Sequence, residues 1–171
     1  MAEQRARNPE VIAFLESAPL PLAIGGRWQR TEQTFGVEDP ANGATLCQVC
    51  AASSDDVNTA VTAARAAFLD GRWQDLRPDE RSLGMLRWAQ LIERDVEMLA
   101  ELESLQTGKP IREARGDVLR ALDGVRFYAA AARNIRGETI DVSRSHHSYV
   151  QREPLGVIAC IVPWNVPIVL T

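Results

Sequence analysis

The segment with the clearest chemical potential is Pro-Trp-Asn-Val-Pro at residues 163–167, which directly follows an apolar run. Each proline fixes its own φ and disfavours a helical conformation in the residue before it, so the segment is predicted to be a stiff bend. If the preceding run is a strand, Asn165 lies at its carboxyl end, where α/β proteins bind ligands. Its neutral amide could donate an N–H to a developing oxyanion, which suits the oxidation of a carbonyl compound. On these residues alone, a buried Asn satisfied within a proline-rich turn is an equally good interpretation.

The cysteines give weaker signals. Cys47 and Cys50 have the spacing of a redox or zinc pair, but the sequence offers no second pair and no nearby histidine. They are interpreted as ordinary cysteines of a strand. Cys160 lies within the apolar run, without the base, cation or helix N-terminus that would activate a thiol, and is predicted to be buried and unreactive.

The remaining polar motifs predict no metal or phosphate site. His146 and His147 are adjacent, so on a strand they point to opposite faces, and no role is assigned to them. The sequence Thr-Gly-Lys-Pro at residues 107–110 is similar to the end of a phosphate-binding loop. Glu103 replaces the first glycine of that motif and Pro110 the Ser or Thr, so the segment is interpreted as a helix stop. The Gly-x-Gly-x-x-Gly dinucleotide fingerprint does not occur.

Composition and charge exclude several classes of protein. With 46% hydrophobic and 25% charged residues, the chain is typical of a globular domain. Its net charge of -4 comes from interspersed acids and bases, which argues against a nucleic-acid partner. The apolar run at residues 157–171 is too short and too often interrupted by proline to span a membrane. An odd number of cysteines and the lack of a signal sequence predict a cytoplasmic protein.

The early part of the chain is predicted to form short strands and then a helix. A polar leader is followed by segments typical of extended structure, at residues 21–28, 34–40 and 46–51. Ser53 and Asp56 have the spacing of a capping box, so a helix is predicted to begin there. Gly71 is expected to end it.

Two longer helical regions follow. The first is predicted to begin at Pro78, to break near residues 93–95 and to end near Gly108. The second begins shortly afterwards and carries one long apolar stripe, with charged residues such as Asp117 elsewhere on its surface. The spacing of apolar residues then changes from a helical to a strand period, which predicts two strands around a polar turn, at residues 139–142 and 148–151.

The run at residues 157–162 predicts a strand buried on both faces of a parallel sheet, because it contains almost no polar residue. Such a strand needs neighbouring strands and covering helices, and the remaining residues do not supply them. Residues 168–170 are typical of the start of another apolar element. The sequence is therefore interpreted as a truncated chain, the first part of a longer protein.

Several short motifs, taken in order, resemble those of the aldehyde dehydrogenase superfamily, and the resemblance is continuous from about Leu22 to Thr171. Each motif is weak alone, whereas their order and spacing together are highly specific. The motifs are Ile24-Gly25-Gly26-Arg27-Trp28, Asp39-Pro40-Ala41-Asn42-Gly43, Asp56-Val57 with Ala60-Val61 and Ala66-Ala67-Phe68, Glu80-Arg81-Ser82, Leu91-Ile92-Glu93, Thr107-Gly108-Lys109-Pro110, Arg152-Glu153-Pro154-Leu155-Gly156-Val157 and Pro163-Trp164-Asn165-Val166-Pro167.

The resemblance implies an incomplete α/β fold, the N-terminal portion of the aldehyde dehydrogenase fold. This portion comprises short N-terminal strands, three or more amphipathic helices, a protruding β-hairpin and the first strand of a Rossmann-like parallel sheet. Residues 1–136 would be the outer part of the cofactor-binding domain and residues 137–156 an oligomerisation hairpin. Residues 157–171 would be the truncated start of the Rossmann-like core. A homo-oligomer, either a dimer or a tetramer, is implied for the full-length protein.

Members of this family oxidise an aldehyde to a carboxylic acid through a cysteine thiohemiacetal and thioester, with NAD or NADP as hydride acceptor. By motif, Asn165 resembles the oxyanion-stabilising asparagine. Val162, Pro163 and Trp164, together with Asn165, resemble the segment that lines the cofactor. The family's cysteine, its glutamates and its cofactor-binding lysine belong to sequence beyond Thr171, so the isolated chain is predicted to be inactive.

Some positions depart from the family pattern. Val166 stands where an aromatic residue is usual, and Gln106 where an acidic residue often helps to bind a monovalent cation, so no ion is predicted. Trp164 in place of Phe favours the hydrolytic branch over the branch that transfers acyl groups to coenzyme A. Two other hypotheses remain open: a short non-catalytic subunit that pairs with a full-length homologue through residues 137–156, and an unrelated α/β binding module.

Overall fold

The computed structural model describes residues 6–171, so residues 1–5 of the predicted polar leader lie outside the described part. Its strands form two-stranded antiparallel sheets. The two strands predicted around a polar turn, at residues 139–142 and 148–151, pair with each other as expected. In chain order the strands are β1 (Leu22–Ile24), β2 (Arg27–Gln29), β3 (Thr34–Asp39), β4 (Ala44–Cys50), β5 (Glu138–Ser143) and β6 (His146–Val150). The β1–β2 turn consists of Gly25 and Gly26, whose φ values of 59° and 75° are left-handed at both positions, as a tight hairpin turn requires.

The helices α1 to α6 are Pro9–Glu16, Ser54–Leu69, Pro78–Arg94, Val96–Thr107, Ile111–Ala131 and Pro167–Leu170, and a 3-10 turn at Ala132–Asn134 extends α5. The predicted capping box begins α2: the Asp56 N–H donates to Ser53 Oγ at 3.2 Å, and the Ser53 N–H donates to Asp56 Oδ2 at 2.8 Å. The predicted break in the next helical region is confirmed at Asp95, which separates α3 from α4.

The sequence pattern did not predict α1. Asn8 caps this helix by accepting the backbone N–H of Glu10 at 2.9 Å, and Pro9 occupies the first turn. Val11 and Leu15 are its buried residues. Two buried positions on a helix of 8 residues are too few to establish a helical period, so the sequence indicates only a polar leader at this point.

Two apolar clusters hold the elements together, and α4 contributes to both of them. The first lies between α1, β4 and α4, and its buried residues are Ala6, Val11, Leu15, Cys47 and Leu105. The second lies between α4 and α5, with Ile168 of α6 packed against it, and its buried residues are Val96, Ala100, Ala114 and Val118. Because α4 contributes Leu105 to the first cluster and Val96 and Ala100 to the second, the helix is packed on two sides.

The predicted buried strand at residues 157–162 is wrong for the part of the chain that the structure describes. These residues are not in a strand, and Ile158 and Ile161 are 72% and 96% exposed. A strand needs a partner edge for its backbone N–H and C=O groups, and no described strand lies beside this segment. The apolar composition of residues 157–162 favours burial, but the described residues provide no surface that covers them.

Among residues 6–171, every helix is too short or too polar to cross a lipid bilayer.

Gly108 is a position where only glycine suits the backbone. It ends α4 with a left-handed φ of 78°, and a Cβ there would lie 2.8 Å from Pro40 Cγ. Replacing Gly108 by Ala is expected to lower the free energy of unfolding by roughly 1–3 kcal/mol, because the new side chain is strained and displaces Pro40. Urea unfolding followed by circular dichroism measures the change in the free energy of unfolding.

Gly116→Ala is the matched control for that substitution. Gly116 lies inside α5, and no atom would lie within 4 Å of its added Cβ. This change is expected to raise the free energy of unfolding by up to about 1 kcal/mol, because Ala favours a helix interior. Equal effects of the two substitutions on the free energy of unfolding would contradict the predicted role of the Gly108 backbone conformation.

Candidate active site

The proline-bracketed segment forms a bend, as predicted. Trp164 and Asn165 form a turn, and Pro167 begins α6. The Val169 N–H donates to the Val166 carbonyl at 3.2 Å and closes the first turn of that helix. The bend therefore connects an extended segment to a helix over very few residues.

The side chains at the tip of this bend face solvent. Trp164 is 78% exposed, and Asn165 is also exposed. Within the described part of the chain, no hydrogen bond is formed by the Asn165 side chain, so its amide is available to donate to a ligand. The alternative of a buried Asn satisfied within the turn is therefore wrong.

Lys109 holds the bend through the backbone of Asn165. Its Nζ donates to the Asn165 carbonyl oxygen at 2.5 Å, to Glu103 Oε1 at 2.9 Å and to Asp117 Oδ2 at 2.7 Å. Glu103 belongs to α4 and Asp117 to α5. One ammonium group thus joins two helices and the bend, and Glu103, Lys109 and Asp117 are called the lysine cluster below.

The lysine cluster is largely shielded from water. The side chains of Lys109, Glu103 and Asp117 are 16%, 5% and 10% exposed. Desolvation lowers the pKa of Lys109, but hydrogen bonds to Asp117 and Glu103 outweigh it, so the net pKa lies above its ordinary value. Arg120 donates to the second carboxylate oxygen, Asp117 Oδ1, at 2.8 Å and holds that side chain from the outer side. The cluster is therefore charged and paired.

The end of α4 directs Lys109 into this cluster. The left-handed Gly108 turns the chain back across the last helical turn. Ser104 Oγ then donates to the Lys109 carbonyl at 2.8 Å, and Thr107 Oγ1 donates to the Glu103 carbonyl at 2.6 Å. The first bond ties the residue after Gly108 back to the last turns of α4. The helix stop predicted at residues 107–110 is confirmed, and it also places the Lys109 side chain in the lysine cluster.

Sequence reasoning missed the lysine cluster. The predicted position of Asp117 on the polar surface of α5 is wrong, because Asp117 is buried. A signal was available: Asp117 follows Ala114 by three positions and precedes Ala121 by four, so it shares their helical face. An acid on an otherwise apolar face predicts a buried cationic partner. Which cation that is depends on the packing of α4 against α5.

Two of the three cysteines match their interpretation. Cys47 and Cys50 are buried in β4, and burial raises the pKa of the Cys47 thiol, which makes it less reactive. The predicted burial of Cys160 is wrong. Cys160 is exposed, because its segment is unpaired, and its Sγ donates to the Leu170 carbonyl at 3.5 Å.

The histidines and acids show no metal centre. His146 Nδ1 lies 2.9 Å from Ser145 Oγ and 3.1 Å from Ser143 Oγ, in the turn of the β5–β6 hairpin. Within residues 6–171, no group of three or more His, Cys, Asp or Glu side chains is arranged to hold a metal ion.

An apolar strip lies directly beside Asn165. Ile161 and Trp164 are strongly exposed, Pro163 is exposed and Val162 is partly buried. Exposed apolar side chains next to an amide donor suit a planar ring that must lie close to a carbonyl group. The predicted cofactor-lining residues are thus contiguous and accessible.

A separate apolar cavity lies away from Asn165. It has a volume of about 710 Å³ and lies between α3, α5 and α6. Its walls are mostly apolar, including Trp88, Leu91 and Tyr128, and Asn165 does not line it. A binding site needs several converging polar groups, which this groove lacks, so it is interpreted as a packing face.

The family model and the similar proteins all point to one family. The sequence model described as "Aldehyde dehydrogenase family" matches residues 28–171. The aminoacetaldehyde dehydrogenase of Pseudomonas aeruginosa is 40% identical over 149 residues, which cover 86% of this chain and 29% of that protein. The NADP/NAD-dependent aldehyde dehydrogenase PuuC of Escherichia coli is 37% identical over 169 residues, which cover 94% of this chain and 34% of that protein.

A solved structure has a closely similar backbone fold over the length of this chain. The NAD+ complex of the aldehyde dehydrogenase from Bacillus cereus superposes with a TM-score of 0.92 at 36% identity. The match covers 96% of this chain and 34% of that one. The chain thus spans about a third of the length of the relatives it matches, and it corresponds to the N-terminal part of their fold.

Lys109→Met is expected to lower the free energy of unfolding by roughly 3–5 kcal/mol, because it leaves the buried carboxylate of Glu103 without a counter-charge and that of Asp117 with only the largely exposed Arg120. Because the folded pKa of Lys109 is raised, its contribution is complete below 10.5, the ordinary pKa of lysine, and is lost as the pH rises through the higher folded pKa. The difference between wild type and variant in urea unfolding should therefore be the same at about pH 8 and pH 10.

Arg126→Met is the control for this prediction. The Arg126 to Glu93 ion pair has a distance of 2.6 Å, but its side chains are 47% and 54% exposed. Solvent screening limits such a pair, so the loss should stay below about 1 kcal/mol. A loss at Lys109 no larger than this would show that the lysine cluster does not stabilise the fold.

Proposed function

Because the chain belongs to the aldehyde dehydrogenase family, we propose that the complete protein oxidises an aldehyde to a carboxylic acid with NAD or NADP as hydride acceptor. The observation that carries the proposal is the exposed side-chain amide of Asn165 at the tip of the bend, where Lys109 bonds to the backbone carbonyl of the same residue. The matching NAD+ complex and the cofactors in the names of relatives support the choice of acceptor.

The proposed reaction begins when a cysteine thiolate attacks the aldehyde carbon. A carbon–sulfur bond forms, and the π electron pair of the carbonyl moves to oxygen, which becomes an oxyanion. The Asn165 side chain would donate its N–H to this oxygen. When the oxyanion collapses, a hydride leaves the carbon and a thioester forms, which water then hydrolyses to the acid.

A neutral donor is important in this scheme. An ammonium or guanidinium group at the same place would stabilise the oxyanion strongly and oppose its collapse, whereas an amide stabilises it without a full charge. A bound nicotinamide supplies the hydride acceptor. Val162, Pro163 and Trp164 would hold its ring, since they form the apolar strip beside the amide.

We propose that the nucleophile and the base lie outside residues 1–171. Cys47 and Cys50 are buried in β4, and the Cys160 thiol donates to the Leu170 carbonyl with no base or cation among the described residues bonded to it, so we assign the nucleophile to none of the three. The isolated chain would then contribute only an oxyanion donor and part of the cofactor surface. On its own it is proposed to be inactive.

The remaining parts of the chain have proposed roles in assembly. Residues 1–136 would be the outer part of the cofactor-binding domain, and residues 157–171 the start of its Rossmann-like core. Residues 137–156 contain the β5–β6 hairpin, whose strands are almost entirely exposed, and would pair with another subunit of a homo-oligomer. A cytoplasmic location is proposed with this function.

The exposed hairpin also supports a second candidate function. A short non-catalytic subunit could use the same strands to pair with a full-length homologue, since hairpin edges bind a partner strand whether or not the chain is catalytic. This function predicts that the 171-residue chain co-purifies with such a homologue.

Asn165→Ala in the complete protein is expected to lower kcat for aldehyde oxidation by about 10²–10³-fold with little change in KM, because one oxyanion donor is lost. Steady-state kinetics of cofactor reduction measures both constants. Asn58→Ala, on the exposed surface of α2, should leave both unchanged. An active Asn165→Ala protein would remove Asn165 from the mechanism.

The purified 171-residue chain, free of tag and host enzymes, is expected to show no dehydrogenase turnover. The physical reason is that an oxyanion donor without a nucleophile has no charged intermediate to stabilise. Cofactor reduction in the presence of an aldehyde is the measurement. Detectable turnover would overturn this prediction, and stable co-purification with a full-length homologue would favour the second candidate function.

A further inference from the structure

We propose that Lys109 is a positioning residue for the oxidation: its ammonium group fixes the peptide that follows Asn165 and thereby sets the direction of the Asn165 amide. The proposal rests on the proposed role of Asn165 as oxyanion donor. Lys109 itself does not contact substrate in this scheme, because it bonds to the backbone carbonyl on the bend.

The hydrogen-bonding capacity of Lys109 is fully used. An ammonium group has three N–H donors, and here they meet three acceptors: Glu103 Oε1, Asp117 Oδ2 and the Asn165 carbonyl oxygen. A lysine with one partner can rotate about its flexible stem, whereas one with three partners on separate elements cannot move without breaking a bond. Nζ is therefore a fixed point.

That fixed point acts on the backbone of the bend. Lys109 and Asn165 are 56 positions apart in sequence, so their bond is a tertiary contact and not part of a local turn. Holding the Asn165 carbonyl restrains the peptide plane between residues 165 and 166, and so limits the directions that the Asn165 side chain can take from that plane. The side-chain amide stays unbonded to described residues and accessible.

Both carboxylates of the cluster are themselves restrained. Arg120 holds the outer oxygen of Asp117 at 2.8 Å, and Glu103 lies on the last turns of α4 with a side chain only 5% exposed. Rigid acceptors are needed if the ammonium is to transmit a defined position to the bend. A packing role alone would be served by any buried pair and would not require a third bond to the tip of the site.

The test is a double-mutant cycle in the complete protein, with kcat and KM for aldehyde oxidation as readouts. Lys109→Met is made alone and together with Asn165→Ala. The same cycle is made with the triple variant Lys109→Met, Glu103→Gln, Asp117→Asn, which carries no buried unpaired charge and so protects the fold. Circular dichroism and thermal unfolding verify that each protein is folded.

Lys109 substitution is expected to lower kcat roughly 10–100-fold when Asn165 is present, with KM nearly unchanged, because a misplaced donor weakens only the transition state. In the Asn165→Ala background the same substitution should change kcat less than about twofold, since there is no donor left to misplace. Lys109→Arg should give an intermediate kcat, because its planar fork cannot reach three acceptors arranged around one nitrogen.

Arg126→Met is the matched control, since it removes another α5 cation that has a carboxylate partner but no contact with the bend. It should leave kcat unchanged in both backgrounds. Equal loss of kcat from Lys109 substitution with and without Asn165 would overturn the proposal, because it would indicate a structural role. An Asn165→Ala protein with normal kcat would instead refute the proposed function itself, so the two failures are distinguishable.

Discussion

A buried lysine between two carboxylates is the interaction on which the site depends. A charge removed from water is stable only where it is paired and hydrogen-bonded, and Lys109 meets this condition through Glu103 and Asp117. Because the two acids belong to α4 and α5, neutralising the lysine requires these helices to lie in one relative position. The third bond, to Asn165, extends that requirement to the bend.

The surrounding backbone is organised around the same point. Gly108 takes the left-handed conformation that turns the chain at the end of α4, and a Cβ at this position would lie 2.8 Å from Pro40 Cγ in the β3–β4 turn. Ser104 closes the turn by donating to the Lys109 carbonyl. A helix end, a strand turn and the proposed catalytic bend therefore meet within one small region.

Much apolar surface remains open around this region. Leu155 and Ile161 are 93% and 96% exposed, and α2 has no buried residue although its apolar stripe is regular. Single exposed apolar residues are common, whereas contiguous ones indicate surfaces that another part of a protein covers. Since the chain spans about a third of its relatives, we interpret these surfaces as faces that pack against further polypeptide in the complete protein.

The sequence by itself determined the features that depend on neighbouring residues. The capping box at Ser53, the break at Asp95 and the helix stop at Gly108 are set by local backbone and side-chain chemistry, and the structure confirms them. The ordered motifs also identified the family, because many weak local matches in one order are jointly specific. The sequence did not predict α1, because a helix of 8 residues is too short to show a helical period of apolar residues.

Only the tertiary structure decided which polar groups meet and which apolar residues are covered. Asp117 and Lys109 are ordinary charged residues in sequence, and their pairing appears only when α4 packs against α5. Residues 157–162 have the composition of a buried strand, yet their burial depends on strands that the described residues do not provide. Hydrogen-bond partners and solvent exposure belong to pairs of distant segments, so no local pattern specifies them.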